Sequence, residues 1–449
     1  MKILKDIWKI FQKPIILLAA FILVLLVVLK IVPAIKESAA EDSPVTKIIV
    51  TNNNTYAQGE EIAAGDFEVI AVHKNGAKTA IDTDKVKLSK TIPDPTGSIT
   101  EVKVSAEGQS CRVKVKNERN KIVTFECGNP DVSAVKAVLY SNGELSFEGV
   151  GDILAFTNAE FPWKSYEGDD DYPVKAVTFE ETVTPSSMDG YFTGMETLCY
   201  VKNIPDTVES MVNTFSGCAA LTSSPDLSGC SSLYDLTETF SDCVSLENTS
   251  PIPETVKNMT GTFSGCTSLK TGADVSGASG VTNADSLYAD CIVLNDAKLP
   301  PAVQSVESAF ENCINLKSMP EIPETVDYMP SCFAGDISLT TLGVIPQGVL
   351  DVGNAFDSCT KIRGILTVNC NPENYNGFLN DTASATSLDL QGDSLVLDVL
   401  AATSGQNENI TVNGKTPDWE ADYNEIMEAD AKTDANAETG NKDKAEPQE

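Results

Sequence analysis

One phrase returns along the chain from Tyr191 to Ile362, and it limits the fold more than any bulk property. Phe215-Ser-Gly-Cys218-Ala-Ala-Leu221 is followed by Phe240-Ser-Asp-Cys243-Val-Ser-Leu246 and Phe263-Ser-Gly-Cys266-Thr-Ser-Leu269. Looser copies stand at Tyr288-Ala-Asp-Cys291-Ile-Val-Leu294, Phe310-Glu-Asn-Cys313-Ile-Asn-Leu316, Phe333-Ala-Gly-Asp336-Ile-Ser-Leu339 and Phe356-Asp-Ser-Cys359-Thr-Lys-Ile362. An imperfect first copy is Phe192-Thr-Gly-Met195-Glu-Thr-Leu198, and a decayed last copy is expected to begin at Phe378. The aromatic positions lie roughly 22 to 25 residues apart. A unit that short cannot bury its own apolar side, so successive units must stack into a solenoid, here of about 8–9 turns.

Take the turn from Phe310 to Phe333. Leu316, Met319 and Ile322 are spaced to face inward from a strand, and Pro323, which has no N–H, stops the ladder. Val326 and Met329 bring the chain back, and Phe333 plugs the core before the next corner. Strands stacked about 4.8 Å apart put equivalent positions in register. Each turn then buries about four large side chains, at roughly 1.5–3 kcal/mol apiece. The same register makes a column of Cys218, Cys243, Cys266, Cys291, Cys313 and, after a gap, Cys359. That Cα spacing admits a disulfide. Parallel side chains, and Met195 and Asp336 at the same position, favour small buried thiols whose S–H donates to a loop carbonyl. Asp336 would need donors of its own, expected from backbone N–H groups of its loop.

At 449 residues the chain is long for one core and suggests two or three domains. Its 65 acidic against 32 basic residues give a net charge of −33, a field that repels nucleic acid and anionic lipid. None of the 12 cysteines forms a Cys-x-x-Cys pair, and His73 is the lone histidine. That nearly removes Ser-His-Asp triads, Cys-His dyads and histidine metal sites, since His73 alone would have to serve. His73 itself is expected on a strand surface or sheet edge.

Residues 1–13 carry Lys2, Lys5, Lys9 and Lys13, and an apolar run fills 14–32, interrupted by Lys30 near its end. A span of about 19 residues is enough to cross a bilayer. The lysines before it and Glu37, Glu41 and Asp42 after it place the N-terminus inside and the rest outside, at the cell surface. A signal peptide cleaved near Ser38-Ala39-Ala40, which would release a secreted chain, is the alternative. A linker, 33–44, follows.

Between 45 and 117, Lys47–Thr51, Phe67–Val72, Val86–Leu88, Glu101–Val104 and Cys111–Val115 alternate with period two. Asn75-Gly76 is a hairpin signal. The segment resembles bacterial immunoglobulin-like domains, with Gly59 after the first strand; the resemblance implies a spacer β-sandwich. From 118 to 190 come further strands, the Asn142-Gly143 turn and the aromatics Phe161 and Trp163. An open solenoid end exposes an apolar face and unpaired strand edges, so this stretch is read as a β-rich cap.

The hairpin Leu139–Gly151, Pro162-Trp163 and the Phe-x-x-Cys-x-x-Leu repeats together resemble BspA-type leucine-rich-repeat surface proteins, over roughly Lys121 to Gly414. Ile-Pro endings survive at Glu321-Ile-Pro323 and Val344-Ile-Pro346. The resemblance implies a mainly-β leucine-rich-repeat solenoid over 191–414; Ser387–Leu390, Ser394–Leu397 and Asn409–Val412 read as strands or a short helix that caps its far end. The resemblance also implies adhesion to host matrix proteins, glycoproteins or other cells. Residues 415–449 read as a disordered acidic tail, in which Trp419 and Tyr423 are a candidate binding motif.

Catalytic signals are thin. Asp169-Asp-Asp171 lacks the alternating spacing and fixed glycine of a calcium loop. The outward positions expected on the strands, Thr222, Ser223, Asn248, Asn295 and Thr340, are small and polar. No phosphate loop, zinc spacing or nucleophile elbow occurs in the sequence. The reading is therefore a non-catalytic surface binding protein without cofactor or metal. Its expected partners are an extracellular protein or glycan on a solenoid face and the membrane at the N-terminus. A self-associating envelope protein and a carbohydrate-active enzyme with paired carboxylates are the alternatives.

Overall fold

The computed structural model describes residues 43–419, apart from 57–59, 95, 97, 157–159, 167, 168, 170, 203, 383 and 386. The expected anchor, Gly59, Asp170, Tyr423 and most of the expected tail lie outside the described residues. Among the described residues no helix is long and apolar enough to cross a membrane. The chain divides into two compact units, Met1–Asn120 and Lys121–Glu449.

The first unit holds strands β1 (Val45–Thr51), β2 (Thr55–Tyr56), β3 (Glu68–His73), β4 (Lys78–Ala80), β5 (Lys87–Leu88), β6 (Ile99–Ala106) and β7 (Gln109–Asn117). They make two sheets, ordered β1-β3-β4 and β2-β7-β6-β5. Alternation decides which side faces in. Along β6, Thr100, Val102, Val104 and Ala106 are buried while Ile99, Glu101 and Lys103 are exposed. Ile48 and Val69 from the first sheet meet Val102, Val104 and Val115 from the second in one core. Gly76 turns the β3–β4 hairpin with a φ of 83°. His73 departs from the expectation of a surface residue: it is buried, because Ser43 and Thr79 close over its ring. Its Nδ1 lies 2.6 Å from Ser43 O and its Nε2 lies 2.8 Å from Thr79 Oγ1.

The second unit opens with β8 (Lys121–Glu126), β9 (Gly128–Asn129), β10 (Val135–Tyr140), β11 (Glu144–Gly149), β12 (Asp152–Ile153), β13 (Ala176–Phe179) and β14 (Tyr200–Lys202). Its main sheet runs β14-β13-β11-β10-β8 and changes character at β11. The β8–β10 and β10–β11 pairs are antiparallel, whereas β11–β13 and β13–β14 are parallel. A hairpin therefore supplies the first parallel edge on which turns can stack. Large rings fill the join: Phe147 packs on Phe179 at 4.6 Å and meets Trp163 edge-on at 5.0 Å. The Trp163 indole donates to Tyr191 O at 2.8 Å.

From there one aromatic per turn continues the core. Phe192, Phe215, Phe240, Phe263, Tyr288, Phe310, Phe333 and Phe356 are each fully buried and stack on the next, with centroids 5.4–5.7 Å apart. Every ring thus loses its water on both faces, and stacking adds roughly 0.5–1.5 kcal/mol per pair to that burial.

Two expectations about the repeats need correction. Among the described residues, regular strands do not line the turns between β14 and β15 (Val344–Ile345); there the stacking is made by single parallel bridges such as Ser223↔Asn248, Thr271↔Asp296 and Ser318↔Thr341. Prolines beside the bridges, among them Pro225, Pro251, Pro320 and Pro323, remove the donors a longer ladder needs. The last copy also slips by one residue. Phe333 N–H bonds to Ala355 O, one residue before the next aromatic, but Phe356 N–H bonds to Phe378 O. Leu379 therefore takes the aromatic position, and Phe378 meets Phe356 at 86° instead of stacking.

The far end is closed by β16 (Arg363–Val368), β17 (Ser387–Gln391), α1 (Leu397–Ala402) and β18 (Ile410–Val412), the strands running parallel as β15-β16-β17-β18. Residues 415–419 were expected to begin the tail but are packed. Lys415 N–H bonds to Val412 O, Asp418 N–H reaches Asp398 Oδ1 at 2.7 Å, and Trp419 packs against the core.

Candidate binding surface

Each repeat of the phrase builds one corner. The cysteine N–H returns to the carbonyl of the aromatic three residues earlier, as from Cys218 to Phe215 and from Cys313 to Phe310. This tight turn points the thiol inward. Cys218, Cys243, Cys266, Cys291, Cys313 and Cys359 donate to the aromatic carbonyl of the preceding turn (Phe192, Phe215, Phe240, Phe263, Tyr288 and Phe333) at 3.1–3.2 Å. All six are free and buried. Leu221, Leu246, Leu269, Leu316 and Leu339 close the same corners, buried beside their aromatics. The residues singled out by periodicity are interior residues, and none of them forms part of an open site.

Asp336 breaks the column. It is fully buried, and neither carboxylate oxygen has a hydrogen-bond partner, contrary to the expected loop donors. The Cys313 amide is spent on Phe310 O at 3.0 Å. Burial pushes the Asp336 carboxyl well above the ordinary range; the Cys313 amide offsets part of that effect, and Glu311 adds to it.

The surface of the array carries two rows. One is an unbroken line of parallel bridges, Ser187–Ser210–Asp235–Asn258–Asn283–Ser305–Tyr328–Asp351–Asn374. Asp and Asn recur here because their side chains cap the amide two residues on, as Asp235 does for Thr237 at 2.9 Å and Asp351 for Gly353 at 2.8 Å. Charge accumulates along the row. Glu307 is raised by its own burial and then by Asp285, Asp351 and Glu311, and Tyr328 is raised chiefly by Glu307.

The second row follows the inward leucine of each corner: Thr222, Glu247, Lys270, Asn295, Lys317, Thr340 and Arg363. All are exposed except Thr340, which is partly buried with its hydroxyl 3.4 Å from Lys317 O. Of the other outward candidates, Ser223 and Asn248 are exposed and bridge each other. Buried positions repeat from turn to turn; this row does not. In the acidic loop, Asp169 Oδ1 accepts the amides of Asp171 and Tyr172 at 2.9 and 2.7 Å, a turn cap rather than an open ligand. Among the described residues no group of three His, Cys, Asp or Glu is placed to hold a metal ion.

Residues 188–283 and 281–392 match the family described as BspA type Leucine rich repeat region, in 6 copies. These residues are a BspA-type leucine-rich-repeat array. No curated protein matches the chain. Among solved structures, a leucine-rich repeat protein from Bacteroides ovatus ATCC 8483 is similar at 17% identity and a TM-score of 0.38, over 66% of this chain and 75% of its own. One from Eubacterium ventriosum ATCC 27560 is similar at 14% identity and a TM-score of 0.32, over 60% and 78%. A leucine rich cell surface protein from Faecalibacterium prausnitzii A2-165 is similar at 16% identity and a TM-score of 0.24, over 68% and 99%. At these scores the likenesses carry no argument about this chain's activity.

The BspA-type array holds a second buried donor series that the heptapeptide pattern left out. The threonine before the aromatic donates inward to a carbonyl of the preceding turn: Thr214 to Met188 O, Thr239 to Met211 O and Thr262 to Leu236 O, at 2.8–3.0 Å. Its signal was present as a repeated Thr-Phe pair. At later turns Leu287, Ala309, Cys332 and Ala355 replace the threonine, which hides the pattern.

Proposed function

We propose that this chain is a surface-displayed, non-catalytic binding protein, an adhesin whose repeat array engages a protein or glycan outside the cell. The observation that carries this reading is the contrast between the two kinds of position. A ladder of buried groups, mostly Phe and Cys, holds the backbone in register, while the outward row from Thr222 to Arg363 changes chemistry at every turn. A rigid periodic frame carrying an aperiodic surface suits recognition along an extended partner. The matched family points the same way. In this reading the apolar run at 14–32 anchors the chain, the first unit is an immunoglobulin-like spacer, and the β8–β14 sheet caps the array.

The test is direct binding of the protein to immobilised matrix glycoproteins, mucins and bacterial polysaccharides. The comparison is a variant with Glu247, Lys270, Lys317 and Arg363 all changed to Ser. Saturable binding by the parent that the variant loses supports the reading. Binding to none of these ligands, with self-association rising with concentration, replaces it with a self-assembling envelope protein.

A further inference from the structure

The net charge of −33 is not shared evenly. Residues 1–120 hold 17 Lys and Arg against 14 Asp and Glu, and residues 121–449 hold 15 against 51. Within the first unit the cations gather on the outer face of the β2-β7-β6-β5 sheet. Across this sheet Lys103 lies opposite Arg112, Glu101 opposite Lys114, Ile99 opposite Lys116 and Lys87 opposite Ser105. Paired residues project to the same side, and the alternate residues Val102, Val104 and Val115 fill the core behind. Lys87, Lys103, Arg112, Lys114 and Lys116 are all exposed.

Two carboxylates on this side answer only part of that charge. Glu101 meets Arg112 at 2.9 Å, and Glu107 lies 4.0 Å from Lys85 at the sheet edge. Among the described residues no carboxylate pairs with Lys87, Lys103, Lys114 or Lys116. Like charges set directly opposite, as Lys103 and Arg112 are, weaken an antiparallel pair. An anionic surface laid against the sheet turns that repulsion into attraction.

We propose that this face rests on the anionic headgroups of a lipid membrane, the one entered by the apolar run at 14–32; the inference therefore rests on the anchor reading above. The chain itself favours this occupant over others. Between the end of that run and Val45, where β1 begins, lie residues 33–44, a segment that reaches about 40 Å at most. Ile99 stands 50% exposed beside Lys116, an apolar side chain among cations, as a headgroup layer accepts and a dissolved polyanion does not. Screening confines each charge to about 8 Å at physiological salt, so a basic face acts locally despite an acidic remainder.

The experiment uses the full chain with vesicles of phosphatidylcholine alone or mixed with phosphatidylglycerol. Flotation reports attachment. Acetylation of surface amines, read by mass spectrometry, reports the face, with Lys74 and Lys78 as internal controls. On the anionic vesicles, labelling of Lys87, Lys103, Lys114 and Lys116 should fall at least about fivefold relative to the neutral ones. It should recover at about 0.5 M salt, with the controls unchanged. In the Lys103→Glu, Lys114→Glu, Lys116→Glu variant, labelling of Lys87 should no longer depend on the lipid.

Equal labelling on both vesicles overturns the proposal while flotation on both leaves the anchor standing. Protection without vesicles overturns it in favour of an acidic segment of this chain or of a second copy. Flotation on anionic vesicles alone, lost in salt, keeps the face and removes the anchor. No flotation on either removes both.

Discussion

The hydroxyl of Tyr288 occupies the space that a side chain on Gly272 would need. A Cβ at Gly272 would lie 2.8 Å from Tyr288 Oη and also 2.8 Å from Ala297 Cβ, and the tyrosine oxygen accepts the Ala273 N–H at 3.0 Å. Tyr288 is the one tyrosine in the stacked column, so its extra oxygen must be housed by the neighbouring loop. Gly272 makes the room, and the freed amide of Ala273 satisfies the oxygen. Gly272→Ala is expected to cost about 1–3 kcal/mol through overpacking. Tyr288→Phe is expected to cost about 1–3 kcal/mol because the Ala273 amide loses its partner. Combined, they should cost at least about 0.5 kcal/mol less than their sum. Urea unfolding of the four proteins checks this, and simple additivity would show that the two residues are not coupled.

Removing one ring should be felt along the column. Phe263 is fully buried and stacks on Phe240 at 5.7 Å and on Tyr288 at 5.7 Å. Phe263→Ala is therefore expected to cost about 3–5 kcal/mol. Intrinsic fluorescence during denaturation can follow this, since Trp163 lies buried in the second unit. An unchanged midpoint would mean that the ring does not plug the core.

The thiols should be silent in the native protein. Burial pushes Cys243 and Cys291 up to about 12, and Cys266, Cys313 and Cys359 well above the usual thiol range. The thiolate is the reactive form, so at pH 8 these groups present neither access nor nucleophile. Cys111 and Cys199 are only half-buried. With a thiol reagent, Cys111 is expected to react first and Cys199 more slowly, its own thiol being raised by burial; the column should react only in denaturant. Labelling of Cys266 in the native protein would contradict the buried column.

The corners were legible in the sequence because each is a local event. An aromatic, a small residue able to turn and a thiol, spaced three apart, specify both the turn and the inward group. The strands between them were not legible, because apolar spacing such as Leu316–Met319–Ile322 says what is buried but not whether a ladder forms. Pro320 and Pro323 decided that against the ladder. The slip at Phe378 could not be read either, since Phe378 and Leu379 are both apolar and only the backbone register separates them. His73 followed the same logic. Its period-two position was clear, yet the Ser43 and Thr79 groups that cover it come from elsewhere in the chain. The surface was least legible of all, because the row from Thr222 to Arg363 carries no period that its sequence could reveal.

Asp336 should make the repeat array more stable in mild acid than near neutrality. It replaces a thiol that elsewhere donates to the preceding aromatic carbonyl, and it lies fully buried with both oxygens unpartnered. Burial raises its folded-state pKa far above that of the unfolded chain. The folded state therefore holds a proton that the unfolded state releases above about pH 4. For a carboxyl shifted upward, the favourable contribution is complete below the unfolded value. It is lost as pH climbs from there toward the folded value, at up to about 1.4 kcal/mol per pH unit. Asp336→Cys restores the donor used at the other corners and removes this titration. The variant should gain about 1–3 kcal/mol at pH 7 from removal of the unpartnered carboxyl, and the gain should shrink as the pH is lowered toward 4. Paired urea titrations at pH 4, 5, 6 and 7 measure the difference directly. A gain that grows on acidification would mean that the native state holds Asp336 as a stabilised carboxylate.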